Sequence, residues 1–167
     1  MNEWQRFSAL YRAKVEHTLE TVAGIADTHW DVSLPGSAPV SLTVSGIVRH
    51  LLTAERFWFG QIAAEGCDEA TAPPAPDPAL EQLAPEALIA AYRQALAESV
   101  ERLASLPEAR LHVDLRFVGR RFTTQAFCWT VLAHHAFHLG HIDLLIRAHG
   151  KPGVHFQPWG DVGQLVA

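Results

Sequence analysis

Two cysteines in 167 residues leave no material for a disulfide framework. Cys67 and Cys128 stand in unrelated contexts and neither belongs to a CxxC pair, so a zinc ribbon and a thioredoxin-like redox site are both excluded. Cys128 lies in an apolar run and reads as a small buried hydrophobe. Lysine and arginine are few and scattered, and the net charge is -5, so no basic surface is available to track phosphates. No apolar stretch approaches the roughly 18 residues needed to span a membrane. The opening Met1-Asn2-Glu3-Trp4-Gln5-Arg6 is polar and amphipathic, unlike a secretory signal. A soluble cytoplasmic protein without nucleic-acid or membrane partners is the expectation.

What is present suits one globular domain over residues 1–167. Hydrophobic residues make up 49% and charged residues 19%, and this length buries a core without help from metal or disulfide. Helical spacing runs through Trp4, Phe7, Leu10, Tyr11, Val15, Leu19 and Val22, predicting a helix over about 3–25. Pro35, Gly36 and Pro39 keep the next stretch irregular. A second helix opens near Ser41 or Thr43, passes Ile47, His50, Leu51, Ala54, Phe57, Trp58 and Ile62, and stops near Gly66. Pro73, Pro74, Pro76 and Pro78 make residues 67–79 a long loop. A third helix starts at Pro85-Glu86 and is closed by Pro107. Leu111 to Phe122 alternates in part and is broken by Gly119, which fits a short hairpin or extended loop. The last helix is capped by Thr123 or Thr124 and ends at Gly150 and Pro152. The tail from Val154 to Ala167 reads as coil packed across the body. Four long helices with one long connection imply an all-α, four-helix bundle.

The chemistry concentrates in Leu132-Ala133-His134-His135-Ala136-Phe137-His138-Leu139-Gly140-His141, which holds four of the ten histidines. Residues i and i+4 share a helix face, so His134 and His138 lie about 40° apart and His141 falls near the same stripe. His135, rotated by about 100°, faces elsewhere. Two imidazoles so placed can grip one metal ion, and an open metal site typically uses three protein ligands. His50, alone amid Ile47-Val48-Arg49-His50-Leu51-Leu52, needs a partner if buried. These residues predict a three-histidine site of His50, His134 and His138, with His141 lining the pocket or acting on its rim. The simpler alternative makes each histidine a satisfied core or boundary residue.

Other metal sites fit less well. A ferritin-like di-iron centre needs Glu-x-x-His, but Ile47 and Val131 hold those positions. Metalloproteases need His-Glu-x-x-His, and His135 stands in the place of the glutamate base. A facial triad needs a carboxylate, and none lies on the His134/His138 stripe. Glu55, about 140° around the helix from His50, reads as structural. Phe57-Trp58-Phe59 reads as core, and His17, His112, His149 and His155 as surface or loop residues.

One histidine on the second helix followed by His-x-x-x-His on the last resembles the DinB-like (YfiT-like) superfamily of four-helix-bundle metalloproteins. Ser45 to Glu55 and His134 to Arg147 carry the resemblance. It implies a bundle of that type with one long loop and an irregular C-terminal tail, and a metal held by His50, His134 and His138. Where the family motif usually ends His-Arg-Gly-Gln, this chain reads His138-Leu139-Gly140-His141. The missing arginine changes a helix or surface contact, and His141 puts a titratable group beside the pocket.

Characterised members include transferases and isomerases that use low-molecular-weight thiols such as bacillithiol or mycothiol, and others are assigned as hydrolases. The resemblance thus implies a thiol-dependent S-transferase acting on small electrophiles, with zinc or nickel as the divalent ion, a low-molecular-weight thiol as cosubstrate, and His141 shuttling a proton or orienting the thiol. A hydrolase working through a metal-bound water and a non-catalytic, stress-related metal-binding bundle are the alternatives. A homodimer formed through the helices is compatible with the pattern.

Overall fold

The computed structural model describes residues 1–25, 27–33, 42–64, 68–73, 75, 77–151 and 153. Gly66, Cys67, His155 and the tail from Val154, together with the Ser41 cap and the Pro35–Pro39 loop, lie outside them. Four long helices build the body: α1 (Glu3–Ala23), α2 (Val44–Ala63), α4 (Pro85–Ala104) and α5 (Thr124–Ala148), with a single turn, α3 (Pro78–Glu81), before α4. Each long helix starts where its sequence provides a cap or a preset φ. Asn2 and Gln5 form a capping box on α1, each side chain accepting from the other's backbone N–H at 2.9 Å. Thr43 and Thr123 accept from the N–H of Gly46 and Ala126 at 3.0 and 3.1 Å. Pro85 opens α4, where its missing N–H costs nothing.

The helices form a four-cornered bundle in which α1 and α2 each pack on α4 and α5. The apolar stripes read from the sequence line its core: Trp4, Phe7, Tyr11, Val15 and Leu19 of α1 meet Leu51, Phe59 and Ile62 of α2, Leu88, Tyr92 and Leu103 of α4, and Phe127, Val131 and Leu145 of α5. The indole N–H of Trp4 donates to the Pro107 carbonyl at 3.0 Å, tying the start of α1 to the end of α4. Leu132 is half-buried at the edge of the core.

The hairpin expected between Leu111 and Phe122 is β2 (Asp114–Phe117) and β3 (Arg120–Thr123), paired antiparallel with Phe117 opposite Arg120. Its two-residue turn places Val118 at φ 50 and Gly119 at φ 69. Positive φ at both positions is the geometry that matches strand twist. Glycine accepts it freely, whereas a β-branched valine does not. A two-residue strand, β1 (Glu69–Ala70), adds parallel to β2 with Glu69 opposite Arg116. The small sheet and α3 refine the all-α expectation without changing it. They hold the long connection: Arg49 on α2 donates from Nε to the Leu80 carbonyl at 2.9 Å, and Trp58 donates to the Thr71 carbonyl at 3.3 Å.

Candidate metal centre

His50 projects from the middle of α2, and His134 and His138 project one turn apart from α5. Because α2 and α5 are neighbours in the bundle, the three imidazoles meet at their seam. One nitrogen from each lies within 4.8 Å of the others. His50 Nε2 and His134 Nε2 are 3.0 Å apart, and ring centroids are separated by 5.0 Å (His50–His134), 4.8 Å (His50–His138) and 4.6 Å (His134–His138). The residues expected to converge from their spacing do so. All three are half-buried, so the cluster is reachable from solvent. Among the described residues this is the one group of three or more histidine, cysteine or acidic side chains close enough to share an ion.

The electrostatics suit lone-pair donors. Burial lowers the pKa of His50, and the charge of Glu55 partly opposes this. Burial and then repulsion from His50 lower that of His134. His138 is pushed down to about 4 by burial and by the charges of His134 and His50. All three are therefore neutral at pH 7, the form that ligates a metal. Two nitrogens bound to one tetrahedral zinc-type ion sit about 3.3 Å apart, close to the 3.0 Å between His50 Nε2 and His134 Nε2. The set fits a divalent ion of borderline softness held by imidazole, with no cysteine or carboxylate among the three.

The walls are aromatic. Trp58 packs edge-on to His134 with centroids 5.2 Å apart and planes at 79°. Trp58, expected in the core, is buried there and also supports a site residue. Phe137, 63% exposed, covers His138 and His141 at 5.3 and 4.4 Å. His141 is half-buried on the rim, its Nδ1 3.4 Å from His138 Nδ1. The structure thus brings His141 beside the cluster, where its spacing predicts it. Cys128 is buried and its thiol is pushed up to about 12 by desolvation, so it is inert as a nucleophile.

Behind the cluster lies a second constellation that spacing alone does not disclose. Glu55, 1% exposed, accepts from the hydroxyls of Tyr11 and Tyr92 on a single oxygen, Oε2, at 2.5 Å each. Its other oxygen lies 2.7 Å from His135 Nδ1, with one proton between them. His135 Nε2 is 2.8 Å from Thr18 Oγ1, whose single hydrogen goes to the Lys14 carbonyl at 3.0 Å. Burial and the Glu55 charge raise both tyrosines well above their usual pKa, so they remain donors. The network joins α1, α2, α4 and α5. It agrees with a structural Glu55, and it removes His135 as a base for the pocket because both ring nitrogens are engaged in the core. His17 is half-buried and His112 exposed, as expected of surface residues. His149, half-buried just past the end of α5, caps that helix and packs on His29 with ring centroids 5.4 Å apart.

A model of the mycothiol-S-transferase family matches residues 6–149. Among solved structures, the fold matches a DinB-like protein, YjoA, from Bacillus subtilis with a TM-score of 0.67 at 20% identity, covering 90% of this chain and 95% of that one. It matches YfiT from Bacillus subtilis, described as a probable metal-dependent hydrolase with an unusual four-helix bundle topology, with a TM-score of 0.67 at 17% identity over 90% and 91%. It also matches a mycothiol-dependent maleylpyruvate isomerase with a TM-score of 0.61 at 15% identity, covering 99% of this chain and 66% of that one. At these identities the likeness establishes the shared bundle. A search of curated proteins finds no match.

Proposed function

The chain belongs to the mycothiol-S-transferase family, and from that premise we propose that it joins a low-molecular-weight thiol, mycothiol being the first candidate, to a small electrophile with the help of a divalent ion. His50, His134 and His138 would hold the ion, with zinc or nickel as the first candidates. When bound, a divalent cation supplies Lewis acidity that lowers the pKa of a thiol and favours the thiolate. The observation that carries the reading is the convergence of three neutral, half-buried imidazoles within 4.8 Å of one another.

The remaining steps fall to this chain's own side chains. His141, beside His138 on the rim, accepts the proton released from the thiol sulfur. The C–S bond forms at the electrophilic carbon, and the same proton goes to the leaving group, or to the adjacent carbon when the electrophile is an alkene. Trp58 and Phe137 exclude water from one side of the pocket and provide apolar surface for the electrophile. Cys128, the one cysteine among the described residues, is buried away from this chemistry, and the sulfur is assigned to the cosubstrate.

A hydrolase is the rival reading suggested by the likeness to YfiT. Among the described residues no carboxylate joins the three histidines, since Glu55 is turned into the core and held by two tyrosines and His135. The test is conjugation of a chromogenic haloaromatic by the metal-loaded protein, with and without mycothiol, beside His134→Ala. Turnover that requires the thiol and is lost in the variant supports the transferase. Ester hydrolysis independent of thiol would support the hydrolase, and a metal whose removal unfolds the bundle would support a structural role.

A further inference from the structure

We infer that Glu55 and His135 form a positioning clamp that sets the metal centre, resting on the reading that the three histidines bind an ion. A metal-ligating histidine ordinarily donates its second ring nitrogen to an acceptor that fixes the ring. His134 has no such bond among the described residues: its Nδ1 is buried and unpartnered. With Nε2 directed at His50, its ring meets α2 only through ring-to-ring packing among the described residues, against His50 and Trp58. Something else must fix where α5 presents it.

The next residue does so. His135 bonds Glu55 at 2.7 Å across the α2–α5 seam that His134 and His50 span at 3.0 Å. His135 stands one position after His134 and Glu55 stands five after His50, so the two contacts are rungs between the same pair of helices. One rung is half-buried and chemical, and the other is fully buried and structural. Glu55 is held from behind by Tyr11 of α1 and Tyr92 of α4, and His135 by Thr18 of α1. Rotation or sliding of α5 against α2 would break these bonds in a dry core, where a polar group left without a partner is expensive. The clamp therefore converts bundle packing into the register of the three imidazoles. Neither residue touches the ion or the reactants; both act through the helices that carry the ligands.

The test is metal affinity, by chelator competition at about 25 °C on protein shown to be folded by circular dichroism. Glu55→Ala should weaken zinc binding by about 10-fold, the low end of what losing a partner bonded directly to a ligand costs, because Glu55 acts one step further out. Glu55→Gln should bind within about threefold of wild type, because its amide oxygen can still accept from both tyrosines and its N–H can donate to His135 Nδ1. His135→Leu opens the clamp from the other helix, leaves Glu55 its two tyrosines, and should weaken binding as Glu55→Ala does; it decides the matter if Glu55→Ala does not fold. Leu103→Ala, a buried truncation on α4, controls for general destabilisation and should leave affinity unchanged. Affinity that stays at the wild-type level in folded His135→Leu, or falls equally in Leu103→Ala, overturns the clamp. If wild type binds no metal, the metal reading fails separately. The clamp is then judged by imidazole NMR of metal-free protein, where His135→Leu must shift the His50 and His134 ring resonances; unchanged resonances overturn it.

Discussion

Replacing Tyr92 by phenylalanine removes one hydroxyl and leaves the ring in place. The residue is 1% exposed and its hydroxyl donates to Glu55 Oε2 at 2.5 Å, a length typical of a hydroxyl donating to a carboxylate. Phenylalanine keeps the packing volume, so no cavity term enters. Oε2 keeps the bond from Tyr11, so no atom is orphaned and the loss is that of one hydrogen bond to a charged group, about 1.5–3 kcal/mol. For a chain of this size that lowers the melting temperature by about 3–12 °C. Tyr11→Phe should cost a similar amount. The double variant should cost more than the sum, because Oε2 is then buried without a donor and the full desolvation penalty appears. Urea denaturation followed by circular dichroism measures all three, with an unchanged m-value as the sign that the unfolding reaction is the same. A Tyr92→Phe loss below about 0.5 kcal/mol, or strict additivity in the double variant, would refute the view that Glu55 is the hub of the core.

Three further outcomes rest on the same geometry. The metal-free protein should lose stability as pH falls from about 6.5 towards 4, because the unfolded histidines take up protons at their ordinary pKa while His50, His134 and His138 resist doing so in the fold; a urea midpoint that holds steady or rises across that window contradicts the depressed values. Val118→Asn should stabilise the protein by about 1 kcal/mol, since asparagine tolerates positive φ better than valine and the side chain is 78% exposed; thermal melts check it, and a lower melting temperature counts against strain at that turn. His141→Ala should slow thiol conjugation by about 10²-fold while leaving metal content at the wild-type level, a split that steady-state kinetics and elemental analysis detect together.

The long helices were legible because each carries a 3.6-residue apolar stripe and a recognisable start: Thr43, Pro85 and Thr123 stand where expected. The histidine cluster was legible because i,i+4 spacing fixes two side chains on one face whatever the tertiary structure. His50 was named as the third because it stands alone on an apolar helix, and packing brings it to the α5 seam beside the other two. Glu55 and His135 were missed as a pair although the signal was present. Each is rotated from its neighbouring ligand towards the core side of its helix, Glu55 by about 140° and His135 by about 100°. An acid and an imidazole both placed on buried faces of adjacent helices need one another. Judged singly, one read as structural and the other as a flank. The strand β1 and the helix α3 are two and four residues long, too short for any periodic signal, and they exist because the chain between α2 and α4 is pinned by Arg49, Trp58 and the edge of β2.

The most direct test of the central claim is metal content by elemental analysis on protein purified without a histidine tag, wild type beside His50→Ala and His138→Ala. About one divalent ion per chain is expected in the wild type and its loss in both variants, since a site left with two imidazoles falls short of the three ligands such a site typically uses. No ion in the wild type, or an ion indifferent to both substitutions, would contradict it and return these histidines to a purely structural role.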